Sequence, residues 1–184
     1  MLSPIFIVVY LYYEGLGISL TTLPYLLLTL FALSELSDFF DGFVARKQNQ
    51  VTELGKVLDP MADSIFRLSV FLTFTQGIIQ IPLWLALFFF YRDSIISTLR
   101  TVCALRGVAL AARLSGKVKA VVQALAALFI LVLMIPYSLG MIDLAFLRAV
   151  SMYTIGTAVI YTIFSGVEYI IANHIYIKKA LGRT

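Results

Sequence analysis

Residues 37–64 read SDFFDGFVARKQNQVTELGKVLDPMADS, and they decide how the rest of the chain is understood. Asp38 and Asp41 close one long apolar run, and Asp59 and Asp63 open the next. Ionisable groups inside membrane helices are costly, so where they occur they mark function. A helix turns about 100° per residue, which places Asp38, Asp41, Gly42, Ala45 and Arg46 within an arc of roughly 140°. By the same count Gly55, Asp59 and Asp63 share roughly 80° of the following helix. The connection between the two runs is short, so antiparallel packing is expected, with four carboxylates meeting in one small volume.

Four carboxylates do not ionise together in one place unless positive charge compensates them. Two divalent cations would do so, and such a pair can clamp a diphosphate and stabilise a leaving oxygen. Gly42, Ala45 and Gly55 leave room for backbone to approach a bulky ligand, and Arg46 offers a bidentate contact to phosphate. The plainer reading makes these acids helix-end charges. Asp59-Pro60 does have the form of an N-cap followed by proline at the first helical position. That explains Asp59 and leaves the face-matched set unexplained.

Working outward, 61% of the 184 residues are hydrophobic and only 13% are charged. The mean hydropathy is +0.97. Soluble domains carry about a quarter charged residues, so the excess apolar surface here calls for lipid. The pattern predicts an all-α membrane bundle forming a single domain over residues 1–184. Its six transmembrane helices are expected near 2–19, 22–46, 56–78, 82–106, 117–137 and 145–172. The start, Met1-Leu2-Ser3-Pro4, has no basic lead, so the first run is read as a retained helix and not as a secretory signal.

Arg46, Lys47 and Lys56 flank the second connection, Arg106, Arg113, Lys117 and Lys119 the fourth, and Lys178, Lys179 and Arg183 follow the last helix. The first and third connections have neither Lys nor Arg. Positive charge marks the cytoplasmic side, so both termini and the aspartate cluster are expected to face the cytoplasm across a bacterial-type membrane. The single cysteine, Cys103, excludes an internal disulfide framework, and the single histidine, His174, argues against a histidine metal site. Any metal would be held by carboxylate oxygen, which suits magnesium, manganese or calcium. The net charge of +4 is no pointer to nucleic acid in such a chain.

The pattern Asp38-x2-Asp41-Gly42-x2-Ala45-Arg46-x8-Gly55-x3-Asp59-x3-Asp63 resembles the signature of the CDP-alcohol phosphotransferase family at every fixed position. The resemblance implies six helices, a homodimer and a Mg2+- or Mn2+-dependent site open to the cytoplasm. It makes Asp38, Asp41, Asp59 and Asp63 the metal ligands and Asp63 also the general base. It sets Asp38, Gly42, Ala45, Arg46 and Gly55 against the CDP-linked lipid. Four further segments are similar to the branch of the family that joins CDP-diacylglycerol to sn-glycerol 3-phosphate with release of CMP. These are Leu58–Asp63, Tyr91–Arg100, Ser115–Lys119 and Ser165–Tyr169. The chain departs from that branch in Ser64, where relatives have Lys, and in Asp93, where they have Glu. Relatives also carry a short polar, Arg-containing lead-in before the first helix, so an N-terminal truncation is expected.

The chemistry asks for a base near the acceptor hydroxyl, and Asp63 stands one turn past Asp59 at the edge of the proposed metal pair. A dianionic acceptor phosphate asks for cations. Arg92 and Arg100, eight apart on one helical face, and Lys117 and Lys119 at the start of the next helix near Arg113, are the candidate acceptor-phosphate ligands. The competing explanation for these charges is positive-inside bias and attraction to anionic headgroups. Neighbours along a helix do not face each other, so Arg92 is expected to find its partner on another helix, with an Arg92–Asp93 pair left open as a purely structural device. Glu35 is expected buried and protonated, Arg67 paired with Asp63, Glu168 paired with a base in the bundle, and His174 interfacial. Two other readings stay open. One is a sister synthase making phosphatidylinositol phosphate, phosphatidylserine or cardiolipin. The other is an ion-coupled transporter, against which stands the lack of any internal repeat.

Overall fold

The computed structural model describes residues 2–47, 64–107, 110 and 113–180, with the backbone alone described for 38–47, 179 and 180. Among the described residues there are seven helices and no strand. These are α1 (Ser3–Tyr12), α2 (Leu23–Lys47), α3 (Ser64–Thr73), α4 (Leu83–Leu105), α5 (Leu114–Ser138), α6 (Leu144–Ala172) and α7 (His174–Ala180).

The all-helical expectation holds, with two boundaries moved. The first helix ends at Tyr12, not near residue 19. Gly17 takes φ of +70°, a conformation that ends a helix, and Leu16 N donates to Tyr12 O across the turn. Ser19 then receives Thr22 N on its Oγ at 3.2 Å and launches α2. The third helix ends at Thr73 instead of 78, because Gly77 (φ +65°) and Gln80 (φ 54°) turn the chain back. Ile81 N closes that loop on Phe74 O at 3.0 Å. Residues 56–63, the expected start of this helix, lie outside the described residues. Asp143 caps α6 through its Oδ1, which accepts from Phe146 N at 2.8 Å.

α5 and α6 are long and apolar enough to cross a bilayer. On α5 Val121, Leu125, Phe129 and Val132 recur along one exposed side, while Ala127, Ile130, Leu131 and Met134 are buried on the other. α4 has the length, but Arg92, Asp93 and Arg100 interrupt its apolar sequence. α2 is apolar only as far as Ser37.

The chain divides into two compact units. One comprises residues 1–81 and 127–152. Its core is aromatic: Phe6 meets Phe66 edge-on at 6.4 Å, Phe31 meets Phe66 at 5.8 Å, and Tyr10 meets Phe74 at 5.8 Å. α1 packs on α2. The buried Tyr10 hydroxyl donates to Gln76 O (3.2 Å) and accepts from Ile79 N (2.9 Å), and Arg148 Nε donates to Ile78 O (2.9 Å). The 74–81 loop thus has three backbone groups satisfied by side chains, as a buried turn requires. The other unit comprises residues 82–126 and 153–184, with α4 against α7 and a core that includes Leu85, Phe89, Ile96, Cys103 and Tyr169.

Candidate active site

α2 remains helical through Lys47. Asp38, Asp41, Gly42 and Ala45 therefore stand at i, i+3, i+4 and i+7 of one continuous helix, with Arg46 next in line. Gly55, Asp59 and Asp63 lie outside the described residues. One turn before Asp38, Glu35 Oε1 stands 3.5 Å from Arg67 Nη1 on α3. The Phe31–Phe66 ring contact joins the same two helices. Among the described residues Arg67 pairs with Glu35; the pairing expected with Asp63 falls on a residue outside them. Glu35, expected buried and protonated, keeps about a third of its side chain exposed and faces a guanidinium.

Among the described residues no three His, Cys, Asp or Glu side chains gather as a metal site. What α2 contributes is a pair of aspartates one turn apart. All-oxygen donors of that kind suit a hard divalent cation, so the residue types fit the ion the resemblance implies.

The second unit contains a polar seam where α4, the start of α5 and the end of α6 meet. Lys119 is almost fully buried, and its Nζ lies 2.7 and 2.8 Å from the two oxygens of Asp93. Arg92 Nη1 donates to Asp93 Oδ1 at 3.0 Å, and its Nη2 donates to Ser165 Oγ at 2.7 Å. Arg92 therefore has a partner on another helix, as expected. It also reaches its neighbour Asp93, the structural pairing that stayed open, because a long side chain can fold back where a short one cannot. Arg100 Nε donates to the Tyr169 hydroxyl at 3.0 Å, and its guanidinium carbon lies 5.2 Å from the centre of that ring. Glu168 accepts from Arg113 Nε at 2.7 Å and from Ser115 Oγ at 2.6 Å, so it does pair with a base. Lys117 is exposed, and His174 is exposed with Nδ1 2.7 Å from Ile171 O.

Five cations in this seam (Arg92, Arg100, Arg113, Lys117 and Lys119) face two carboxylates, Asp93 and Glu168, leaving three positive charges in excess. An excess of that size makes the local potential positive.

The model of the CDP-alcohol phosphatidyltransferase family matches residues 1–167. The chain belongs to this family. The match takes in both α2 aspartates, Asp59 and Asp63 after them and most of the cationic seam, with Glu168 and Tyr169 just beyond its end. Among other family proteins, a CDP-diacylglycerol–glycerol-3-phosphate 3-phosphatidyltransferase of Bacillus subtilis is 33% identical over 144 residues, covering 78% of this chain and 71% of its own length. One of the same name from Rickettsia typhi is 33% identical over 149 residues, covering 80% and 79%. A cardiolipin synthase (CMP-forming) of Streptomyces coelicolor is 42% identical over 69 residues, only 38% of this chain and 32% of its own. The chain is thus a CDP-alcohol phosphatidyltransferase, and its helical, lipid-suited architecture is that of a membrane enzyme.

Sequence reasoning assigned no role to Ser165, Tyr169, Ser115, Gly116 or Gly166, although Ser165, Tyr169, Gly116 and Gly166 hold or make room for Arg92 and Arg100, and Ser115 holds Glu168. A Cβ on Gly166 would stand 3.1 Å from Arg92 Cγ, and one on Gly116 would stand 3.6 Å from Arg92 Nη2. The available signal was the spacing of Ser165, Glu168 and Tyr169 at i, i+3 and i+4, which puts three polar groups on one face of an apolar helix.

Proposed function

We propose that the chain transfers a phosphatidyl group from CDP-diacylglycerol to sn-glycerol 3-phosphate, giving phosphatidylglycerophosphate and CMP. The observation that carries the acceptor is the positive excess on α4 and the start of α5, built from Arg92, Arg100, Lys117 and Lys119 with Arg113 beside them. Serine, a zwitterion, does not call for that surplus, whereas a phosphate dianion does. The two full-length relatives quoted above carry names that specify the same donor and acceptor.

On the donor side, Asp38, Gly42, Ala45, Arg46 and Gly55 line the place of the cytidine diphosphate. Asp38, Asp41, Asp59 and Asp63 are the residues that would hold two divalent cations, Mg2+ or Mn2+. Bound there, the ions supply neutralisation of the diphosphate and polarisation of its phosphorus. The acceptor's free hydroxyl attacks the lipid-bearing phosphorus and gives its proton to Asp63. The phosphorus–oxygen bond to CMP breaks, and CMP leaves. The cationic seam orients the acceptor by its phosphate, which converts an encounter in solution into a positioned attack. Six spans, a cytoplasm-facing site with both termini on that side, and a homodimer complete the proposal. The distribution of Lys and Arg along the chain and the family resemblance support them.

The test is CMP release by the purified protein with CDP-diacylglycerol, with and without divalent cation, against a panel of acceptors. Release with glycerol 3-phosphate, and much less with inositol phosphate, serine or phosphatidylglycerol, is the expected result. Preference for phosphatidylglycerol would make the chain a cardiolipin synthase. Ion flux in liposomes with no CMP release from any acceptor would make it a transporter.

A further inference from the structure

We infer that Asp93 and Lys119 form a charge-neutral brace that positions Arg92, and that Lys119 acts on the acceptor phosphate through this brace and not by touching it. The inference deepens the phosphatidyl-transfer reading and rests on it. Lys119 places its ammonium between the two oxygens of one carboxylate at 2.7 and 2.8 Å, with 4% of the residue exposed. Two of the ammonium's three donors are thus committed to Asp93, and moving Lys119 onto a substrate phosphate would break both bonds in a largely buried place.

Arg92 is differently placed. Its Nη1 shares Asp93 Oδ1 with Lys119, its Nη2 is held by Ser165, and its Nε is buried with no hydrogen-bond partner among the described residues. Gly116 and Gly166 flank it so closely that α5 and α6 form a slot for the side chain. Two cations on one carboxylate leave a single positive charge, and Arg92, with 13% of its side chain exposed against 5% for Lys119, is the more accessible of the two. Lys119 is thus a positioning residue: it neutralises Asp93 so that Asp93 can orient Arg92 without cancelling the site's attraction for a phosphate.

This division of labour predicts non-additive substitutions. Lys119→Met keeps the length of the apolar stem but strips Asp93 of its counterion, so the bare carboxylate neutralises Arg92 and repels the acceptor. Asp93→Asn keeps an oxygen that accepts from Arg92 Nη1 but strands the buried ammonium. The double substitution removes both charges and retains that oxygen. Removing one member of a buried pair costs far more than removing both.

The experiment compares wild type, Lys119→Met, Asp93→Asn and the double variant, as full chains in detergent. CMP release is read against glycerol 3-phosphate and, separately, against CDP-diacylglycerol, together with the midpoint of thermal unfolding. Lys119→Met alone should raise the acceptor KM by about tenfold or more, with the lipid KM within about twofold, and the double variant should return within about threefold of wild type. The double variant should also unfold above both single variants. A double variant that keeps the tenfold defect shows that Lys119 touches the phosphate, and it overturns the brace. So does an unchanged acceptor KM in Lys119→Met. Any other ranking of the midpoints, including failure of the double variant to fold, overturns it as well. Wild-type protein that releases no CMP refutes the transfer reading instead, and the midpoint ranking still decides the brace.

Discussion

Replacing Tyr169 with Phe isolates one hydrogen bond in the seam. Tyr169 is 1% exposed, its hydroxyl accepts from Arg100 Nε at 3.0 Å, and its ring lies 5.2 Å from the guanidinium carbon. Phe retains the ring, and with it the cation–π contact, and deletes only the acceptor oxygen. Such a bond contributes about 0.5–1.5 kcal/mol net. At about 1.4 kcal/mol per factor of ten, losing the orientation it gives Arg100 should raise the acceptor KM about threefold to tenfold. The lipid KM and kcat should stay within about twofold, because the interaction orients the acceptor before and during transfer alike. Tyr169→Leu removes the ring too and should add a further loss worth about 0.5–1 kcal/mol. The assay is CMP release at saturating CDP-diacylglycerol with glycerol 3-phosphate varied, then the reverse. An acceptor KM unchanged in Tyr169→Phe, or a parallel rise in both KM values, refutes the assignment of Arg100 to the acceptor phosphate.

Lys117→Ala should raise the acceptor KM by about tenfold, as expected for loss of a charge-assisted contact, and leave the lipid KM nearly unchanged; the same two titrations decide it. Asp63→Asn should abolish CMP release, since the amide cannot take the hydroxyl proton, and substantial residual turnover would show that another group is the base. Gly77→Ala should lower the thermal midpoint by about 5 °C or more without altering which acceptor is used. Its φ is +65°, and the new methyl would lie 2.8 Å from Tyr10 Cε1, so strain and overlap add. A midpoint equal to wild type would show that the 74–81 loop can rearrange.

Helix periodicity made much of this legible, because it depends only on residues three and four apart. The placement of Asp38 and Asp41 on one face of α2 follows from spacing once the helix continues to Lys47, as it does. Apolar runs located four of the six expected helices, α2, α4, α5 and α6, to within a few residues, and the two exceptions have local causes. α1 stops early because residues 13–17 form a turn at Gly17, and α3 stops early because the 74–81 loop is bound by the Tyr10 hydroxyl and Arg148 from elsewhere in the chain. An apolar count cannot register either effect, since both residues flanking each turn are hydrophobic enough to continue a span.

The chain's own letters determined its class: an apolar helical composition suited to lipid, and an aspartate pattern that carries the family. Which cation meets which anion was settled by folding. Asp93 and Lys119 are 26 residues apart, Arg92 and Ser165 are 73 apart, and Arg67 on α3 meets Glu35 on α2. Sequence spacing fixes neighbours along one helix, whereas ion pairs between helices depend on how those helices are rotated and packed, and that is decided by the whole core at once.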